Sequence, residues 1–256
     1  MRCFALPVRK YVTNSNEEDK MKRILIIILR NILRLPYVYF GMCYYARRAD
    51  KHSEEHKYAF IKKIARWIVS AGRVNIEVHG LEKLPAENGF MFFPNHQGLF
   101  DGFAIVEACP VPFSTVYKKE LRNIPLLKQI FACVKAVSLD RDDIKQGLAV
   151  IQQVTKEVQS GRNYMIFAEG TRSRNENELL DFKGGSFKSA VKAKCPIVPV
   201  ALIDSYKVFD TGSISKTTVQ VHFLDALRYE DYQGLSTVQV AELVRMAIER
   251  AIAEYA

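Results

Sequence analysis

Residues 90–102 read FMFFPNHQGLFDG, an apolar run that gives way at Pro94 to a polar loop. Four apolar residues in succession, 90–93, are typical of a short central strand covered on both faces. Pro94 and Gly98 indicate a tight loop after that strand, which places His96 just beyond its carboxyl end. Ligands of open α/β sheets gather at this end of the strands. The stretch therefore predicts an α/β sheet with a functional site at His96.

Asp101 follows His96 by five residues. On a single helix the two side chains would point about 140° apart and could not face each other. A loop at His96 that enters a helix near Leu99 would instead bring Asp101 back to the imidazole. A carboxylate in that place orients one ring nitrogen and leaves the other free as a base. The same spacing also fits a structural His–Asp pair at a helix start.

Segments typical of strands and helices alternate from Val74 onward, which predicts a mixed, largely parallel α/β sheet of about seven strands flanked by helices. The expected strands are 74–79, 90–93, 113–117, 134–139, 163–168, 197–203 and 219–224.

Two of the helices carry specific signals. One is predicted by an apolar stripe, expected to be buried, of Ile144, Leu148, Ile151 and Val158. The last begins at a capping box, Ser236 to Gln239. His79 and His222 lie on the polar sides of alternating strands, so both are expected to be exposed.

The positive charge of the chain is concentrated at one end. Residues 1–75 carry 16 Lys and Arg against 6 Asp and Glu, whereas the whole chain has a net charge of +9. We therefore divide the chain into a basic amphipathic helical arm, 1–72, and an α/β domain, 73–256. Such an asymmetry indicates a polyanionic partner, either an anionic membrane or nucleic acid. No zinc finger, helix-turn-helix cue or aromatic platform supports nucleic acid, so we expect none to bind.

The apolar part of the arm is too short to span a bilayer. Ile24–Leu29 falls far below the roughly 20 residues a spanning helix needs, and Arg30 and Arg34 interrupt the apolar residues beyond it. The composition favours an interfacial helix, kinked at Pro36, whose flanking cations meet anionic lipid. Those cations are Lys22, Arg23, Arg47, Arg48 and Lys51. The alternative is a buried two-helix cap on the α/β domain.

The five cysteines show no metal-ligand spacing. They lie at positions 3, 43, 109, 133 and 195. Cys109 and Cys133 have apolar neighbours, which predicts buried, reduced thiols and not nucleophiles.

A second predicted strand, 164–168, is also followed by a polar turn, Glu169-Gly170-Thr171-Arg172. Gly170 permits a close backbone approach, and Arg172 offers a planar fork suited to a phosphate. The ends of two predicted strands thus supply a candidate base, His96, and a candidate anion-binding group, Arg172. The chain has neither a Walker sequence nor a Gly-x-Gly-x-x-Gly loop.

These motifs together resemble the glycerolipid acyltransferase family, and within it the 1-acylglycerol-3-phosphate acyltransferases. Asn95–Asp101 is similar to the family's His-x4-Asp block, and Phe167–Ser173 to its Glu-Gly-Thr-Arg block. Further similar blocks, in the family's order, are Lys118–Pro125 with Leu139–Arg141, Phe182–Phe187 and Pro196–Val200. The chain departs from the pattern at Gly98, where Ser is common, at Ala168, where Pro is usual, and at Lys128, where Gly is frequent.

The resemblance implies transfer of an acyl group from an acyl thioester, on coenzyme A or acyl carrier protein, to the free hydroxyl of lysophosphatidic acid. It implies His96 as the base and Asp101 as the group that orients it. Arg172, with Lys118, would hold the acceptor phosphate, while Glu169, Gly170 and Thr171 would shape that pocket. Backbone amides near Gly170 or Gly98 would stabilise the oxyanion. No metal or cofactor would be needed.

The resemblance also implies a place for the enzyme, at the cytoplasmic face of a membrane, held peripherally or monotopically by the arm. Three alternatives remain open at this point. The acceptor could be glycerol 3-phosphate or another lysophospholipid, or the chain could be a non-catalytic lipid-binding relative. A serine or metal hydrolase is disfavoured because the chain lacks a Gly-x-Ser-x-Gly elbow and a ligand cluster.

Overall fold

The computed structural model of the chain describes residues 12–256, with side-chain surroundings from Met21 onward. Cys3 and the rest of 1–11 lie outside the described residues. Within residues 12–256, seven strands form one sheet in the order β1-β7-β6-β2-β5-β3-β4. Their bounds are Val74–His79, Met91–Pro94, Ser114–Lys118, Val137–Leu139, Tyr164–Met165, Ile197–Ile203 and Thr217–Phe223 for β1 to β7.

All neighbouring strands run parallel except β6 and β7, which are antiparallel. The predicted mixed, largely parallel seven-stranded sheet is therefore confirmed. Every residue of β6 is buried, as a strand covered by helices on both faces requires.

Ten α-helices flank this sheet within the described part of the chain. Their bounds are Val12–Arg30, Leu35–Arg47, Glu54–Ala71, Asp101–Ala108, Leu127–Cys133, Ile144–Gln159, Lys188–Ala193, Tyr206–Phe209, Tyr229–Tyr232 and Thr237–Tyr255 for α1 to α10. The capping box predicted at the start of α10 is confirmed, since the Ser236 and Gln239 side chains and backbone amides bond reciprocally.

Alternate residues of the central strands face two separate cores. Phe92 packs with α1, α3 and α4 on one face of the sheet, through residues such as Ile27 and Ala104. Met91 and Phe93 face the other side and pack with residues of α6, α7 and α10. The period-two alternation of a strand produces this division, so each core is built from a different half of the same short sequence.

Two local predictions are wrong in detail. Ile144 and Leu148 do not belong to the buried stripe of α6, because they are 80% and 49% exposed. The buried face consists of Val150, Val154 and Val158. The strand expected at 134–139 begins at Val137, because the amide of Val134 still donates to Ile130 at the end of α5.

The break between α1 and α2 lies at Asn31, and not at Pro36 as the sequence suggested. Asn31 interrupts the helix, and Pro36 falls in the first turn of α2, where its missing N–H costs no hydrogen bond. No single helix of the described residues is long and apolar enough to cross a bilayer. Met21–Arg30 and Ile32–Arg47, bent by 62°, meet that requirement together by length and composition.

Arg23 ties α1 to the segment before β7. Its side chain is 1% exposed and donates to the carbonyl oxygens of Ser213 and Ser215, both at 2.8 Å, and to Thr217 Oγ1 at 3.1 Å. This cation is therefore used inside the protein. The expectation that Arg23 meets lipid is wrong for this structure.

His222 is buried, contrary to expectation, whereas His79 is exposed as expected. The His222 ring stacks between the rings of His79 and Tyr255, at centroid distances of 4.5 and 4.6 Å. The end of α10 covers what would otherwise be the polar side of β7. Burial, together with the neighbouring His79, lowers the pKa of His222 to about 4.

We expect the fold to lose stability on acidification because of His222. Between pH 6.5 and pH 4 the unfolded chain takes up a proton that the folded imidazole does not, so the free energy of unfolding falls as pH falls through this window. Thermal melts followed by circular dichroism at pH 7 and pH 5 measure the loss. His222→Phe keeps an aromatic ring but does not titrate, and its melting temperature should change less. An equal change in both proteins would contradict this explanation.

Candidate active site

The polar residues of both sequence motifs lie together at the carboxyl ends of the parallel strands, here called one edge of the sheet. The strands β2, β5, β3 and β4 are consecutive neighbours and all parallel, so their carboxyl ends meet at the same edge. His96 follows β2, the Glu169–Arg172 turn follows β5, Lys118 ends β3, and Arg141 follows β4. This edge is where α/β sheets place their ligands.

The side-chain amides of Asn95 and Gln97, the two neighbours of His96, have structural roles. Asn95 is buried, donates to the carbonyl of Leu202 at 3.0 Å and accepts from its amide at 2.7 Å, so its side chain extends the ladder to β6 beyond Pro94. Gln97 Oε1 accepts from the amide and hydroxyl of Ser205, both at 3.0 Å. The backbone of His96 is thus fixed from both sides.

His96 and Asp101 face each other as the loop-to-helix interpretation predicted. Asp101 is the first residue of α4, and its Oδ2 lies 2.7 Å from His96 Nδ1. A carboxylate accepts, so Nδ1 carries the proton and Nε2 has a free lone pair. The His96 side chain is 23% exposed, whereas Asp101 is fully buried. The arrangement presents a base to solvent and keeps its orienting group dry.

Asp101 is held by more donors than the sequence indicated. Besides His96, its carboxylate accepts from the amides of Gln97 at 2.7 Å and Gly98 at 3.0 Å, and from the hydroxyl of Ser205. Ser205 lies 104 residues away in sequence, after β6, and no local signal marked it. Four donors to one carboxylate hold it in a single orientation facing His96.

Glu169 joins the two motif loops. Its carboxylate accepts from the amide of His96 at 2.6 Å and from that of Leu180 at 3.1 Å, and it is 2% exposed. Burial raises the pKa of the Glu169 carboxyl, and the two backbone donors oppose that rise. Glu169 therefore fixes the backbone of His96, and its expected part in a phosphate pocket stays a prediction. Ser173 adds to this link by donating its amide to the carbonyl of His96 at 2.8 Å.

Phe167 is a contact that sequence reasoning missed. Its ring stacks on the His96 imidazole, with centroids 4.0 Å apart and planes at 21°. The stack limits rotation of the imidazole about its hydrogen bond with Asp101, a motion that this hydrogen bond alone would permit. Phe167 stands inside the Glu-Gly-Thr-Arg block, so its place in the motif was the available signal.

Arg172 lies on the β6 side of the Gly170 turn. Its guanidinium faces Asp210 at 3.9 Å, in the segment that follows α8. Asp210 also crowds Gly98, because a Cβ built on Gly98 would lie 2.5 Å from Asp210 Oδ2. The side chain of a serine at position 98, the residue common in the family pattern, would therefore collide with Asp210 in this chain.

Gly98→Ala is expected to lower the free energy of unfolding by about 1–3 kcal/mol, the usual cost of overpacking. Urea unfolding measures the change. Gly102→Ala is the matched control, since a Cβ there meets nothing within 4 Å. Removing the opposing carboxylate in Gly98→Ala/Asp210→Ala should restore part of the loss. A Gly98→Ala protein as stable as wild type would disprove the proposed crowding.

Lys118 and Arg172 are not brought together. Lys118 ends β3 and pairs with Glu120 at 3.0 Å, on the opposite side of β5 from Asp210. No ion pair or hydrogen bond joins the two cations to a common group among residues 21–256. The amides of Gly98 and Gly170 are also already engaged, with Asp101 and with the carbonyl of Phe167. Oxyanion stabilisation therefore requires donors other than these two amides.

The cysteine thiols of the described residues stand apart from this site. Cys109, Cys133 and Cys195 are buried, and burial raises their pKa values to about 11, 11 and 12. A thiol with a raised pKa stays protonated at neutral pH and is a poor nucleophile.

Comparison with known proteins agrees with this geometry. A family model described as Acyltransferase matches residues 75–203. This range spans all but one of the strands. It also contains every residue described above around His96 except Ser205 and Asp210. The chain belongs to the acyltransferase family.

Named relatives of this acyltransferase share one description. The 1-acyl-sn-glycerol-3-phosphate acyltransferase of Borreliella burgdorferi is 28% identical over 176 residues, covering 67% of this chain and 69% of that protein. The Escherichia coli protein of the same name is 25% identical over 235 residues, covering 91% and 92%. The crystal structure of the LPA acyltransferase PlsC from Thermotoga maritima matches with a TM-score of 0.74 at 21% identity, covering 92% of this chain and 97% of that one. At that identity the likeness establishes the fold.

Two cavities of the acyltransferase open on opposite faces of the sheet near the His96 edge. One, of about 470 Å³, is almost wholly apolar and lies among α1 to α5, with Leu99, Gly102 and Met165 in its wall. The other, of about 460 Å³, lies between the strands and α6, with Ile166, Phe167 and Gly170 in its wall. Met165 and Ile166 are successive residues, so the strand alternation separates the two cavities.

Proposed function

We propose that this acyltransferase moves a fatty acyl group from an acyl thioester to the free 2-hydroxyl of lysophosphatidic acid, forming phosphatidic acid for phospholipid synthesis. The observation that carries the proposal is the His96–Asp101 pair, at 2.7 Å, beside an apolar cavity of about 470 Å³. The names of the relatives in Borreliella burgdorferi and Escherichia coli support the same acceptor.

The reaction needs one base and no enzyme nucleophile. Nε2 of His96 removes the proton of the acceptor hydroxyl while the oxygen attacks the thioester carbonyl. Asp101 keeps the Nδ1 proton in place and stabilises the imidazolium that forms. The tetrahedral intermediate collapses with loss of the thiolate, which takes the proton back from Nε2. Atoms and charges balance without a metal or cofactor.

Arg172 is the proposed ligand of the acceptor phosphate. Its planar guanidinium can offer two parallel N–H donors to phosphate oxygens. At 3.9 Å from Asp210 it is held loosely, and the 27% exposure of its side chain leaves it accessible from the site. Thr171, the residue before it, is exposed on the same turn and adds a hydroxyl to this pocket.

The apolar cavity suits an acyl chain. Among its 24 lining residues, the polar side chains Asn31 and Thr115 are already bonded, to the carbonyls of Ile27 and Met165 at 2.9 Å. A chain of methylene groups would gain about 0.8 kcal/mol for each buried CH₂. Leu99 and Gly102 lie within a turn of Asp101, so a chain in this cavity would end close to His96.

We further propose that α1 and α2 hold the enzyme on the cytoplasmic face of an anionic membrane. Several large apolar side chains of these helices are exposed, among them Leu33 at 93% and Phe40 at 69%. Arg47 and Arg48 are exposed at the end of α2. Apolar side chains beside such cations suit the boundary between acyl chains and head groups. The lipid acceptor would then reach the site within the leaflet.

Replacing Leu29, Leu33 and Phe40 by serine together is expected to weaken binding to phosphatidylglycerol vesicles by at least about a hundredfold. These side chains are exposed, so the fold should persist, unlike deletion of the arm, which would remove the buried Arg23 and Met42. Co-sedimentation measures binding. Val238→Ser is the control, because Val238 is 68% exposed on α10. Full sedimentation of the triple variant would rule out this membrane face.

The proposed activity is tested by incubating the enzyme in detergent micelles with an acyl thioester and one of three acceptors, followed by mass spectrometry. Lysophosphatidic acid should give phosphatidic acid faster than glycerol 3-phosphate or lysophosphatidylcholine give their products. Product from glycerol 3-phosphate alone would overturn the proposed acceptor. Lipid binding without product from any acceptor would favour a non-catalytic relative.

A further inference from the structure

The cavity on the α6 side of the sheet, here called the cationic groove, has no role in the proposal above. Four basic residues line it, Lys118, Arg141, Lys183 and Lys188. They come from the ends of β3 and β4 and from the segment that leads into α7. The groove shares Phe167 and Gly170 with the His96 site.

The carboxylates of the groove are already used. Asp140 pairs with Lys119, and Asp143 caps α6 by accepting from the amide of Gln146 at 3.0 Å. Arg141 donates to the carbonyl of Gly170, and Lys118 pairs with Glu120. Lys183 and Lys188 have no acidic partner among residues 21–256, and both are exposed. The groove therefore presents two uncompensated ammonium groups, which favours an anionic ligand.

Lys183 reaches the Gly170 turn itself. A Cβ built on Gly170 would lie 3.2 Å from Lys183 Nζ. Because glycine has no Cβ, the ammonium group approaches the backbone of the turn without hindrance. The φ of 74° at Gly170 also favours glycine. An anion bound by Lys183 would thus lie beside the turn that follows β5.

The opposite wall of the groove is apolar and exposed. Of the α6 residues expected in the core, Ile144, Leu148 and Ile151 line this groove, and Ile144 and Leu148 are exposed. Such a wall facing ammonium groups suits a ligand that has both a phosphate and a long uncharged arm. The acyl donor of the proposed reaction has this chemistry, because coenzyme A and acyl carrier protein both present the thioester on a phosphopantetheine arm.

We propose that the cationic groove binds the phosphopantetheine arm of the acyl donor, with Lys183 and Lys188 contacting its phosphate and Ile144 and Leu148 contacting the pantetheine chain. The inference rests on the proposed function for the identity of the donor. The two substrates then approach His96 from opposite faces of the sheet, the donor arm along the groove and the acyl chain of the acceptor from the apolar cavity. Arg172 remains with the acceptor phosphate, on the β6 side.

Equilibrium binding tests the groove without requiring turnover. We would titrate the full chain in detergent with 4′-phosphopantetheine and with pantetheine, which lacks the phosphate, by calorimetry. Wild type should bind the phosphorylated compound roughly tenfold more tightly. Lys183→Met/Lys188→Met should lose this preference. Lys192→Met, an exposed lysine of α7 outside the groove, should keep it. No preference in wild type, or the same preference in the double variant, would overturn the proposal.

Steady-state kinetics separates the donor from the acceptor. With acyl-coenzyme A or acyl carrier protein, the double variant should show a donor KM raised about tenfold. Its KM for lysophosphatidic acid, and its kcat/KM with an acyl-N-acetylcysteamine donor, should stay unchanged. The carrier whose KM rises more is the natural donor. A raised acceptor KM instead would place the acceptor phosphate in the groove and refute the assignment.

Failure of the reaction itself is distinguishable. A wild-type protein that prefers phosphopantetheine to pantetheine but forms no phosphatidic acid would contradict the proposed function and support the groove.

Discussion

His96→Ala is expected to lower kcat for acyl transfer by about a thousandfold while the protein stays folded. The substitution removes the only imidazole at this edge of the sheet within the described residues, and a positioned general base accounts for about 10²–10⁴ of the rate. His96 belongs to neither hydrophobic core, so the protein should stay folded, with a modestly lower melting temperature because the Phe167 stack and one hydrogen bond to Asp101 are lost. Phosphatidic acid formation in micelles, measured at saturating substrates, gives the ratio.

Asp101→Asn should reduce kcat by at least about a hundredfold for a different reason. An amide oxygen at 101 can accept from some of the four donors, but the amide NH₂ would face N–H groups and favour the wrong imidazole tautomer. This variant should therefore also lose about 1–3 kcal/mol of stability, which a urea titration would detect.

His79→Ala is the matched control for His96, because His79 is an exposed histidine at the far edge strand β1. It should retain full activity. If His96→Ala retained more than a tenth of the wild-type kcat, another group would have to be the base. The Asp101 interactions would then serve only to stabilise the start of α4.

Arg172→Ala is expected to raise the KM for lysophosphatidic acid about a hundredfold and to leave the donor KM unchanged. A charge-assisted, two-pronged contact with phosphate is worth about 1.5–3 kcal/mol or more. Arg172→Lys should lie between the two proteins, since an ammonium group keeps the charge but not the planar fork. Initial rates over a range of each substrate give both constants.

The specificity of the effect depends on the phosphate. Arg172→Ala and wild type should use an acceptor without a phosphomonoester, such as monoacylglycerol, equally poorly. Arg250→Ala, an exposed arginine on α10, is the control and should change neither KM. A raised donor KM in Arg172→Ala would contradict the assignment and place the donor phosphate on the β6 side of the Gly170 turn.

Local patterns in the sequence were sufficient for much of the fold and for the centre of the site. The run 90–93 predicted a central strand because four apolar residues in a row can be buried on both faces. The loop signals at Pro94 and Gly98 predicted how Asp101 returns to His96, and the 2.7 Å contact agrees. Each of these inferences uses residues within about a dozen positions, where periodicity and turn chemistry act directly.

The tertiary structure alone determined which surfaces are covered and which distant residues meet. The stripe of α6 was misassigned in part, because Ile144, Leu148 and Ile151 also have helical spacing. Val158 is buried as predicted, but Val150 and Val154 join it in the core in place of the other three. His222 is buried because Tyr255, at the end of α10, stacks on its ring. Such coverage depends on how helices pack across the sheet, which no short pattern encodes.

The supporting contacts of the site have the same origin. Ser205 reaches Asp101, and Asp210 meets both Arg172 and Gly98, only because β6 lies beside β2 in the sheet. The sequence by itself predicted the class of fold and the contact between His96 and Asp101, and both are confirmed. Anion binding by the Glu169–Arg172 turn stays a prediction. The order of the strands determined the long-range contacts that hold the His96–Asp101 pair in place, because it brings Glu169, 73 residues from His96, and Ser205, 104 residues from Asp101, within hydrogen-bonding distance.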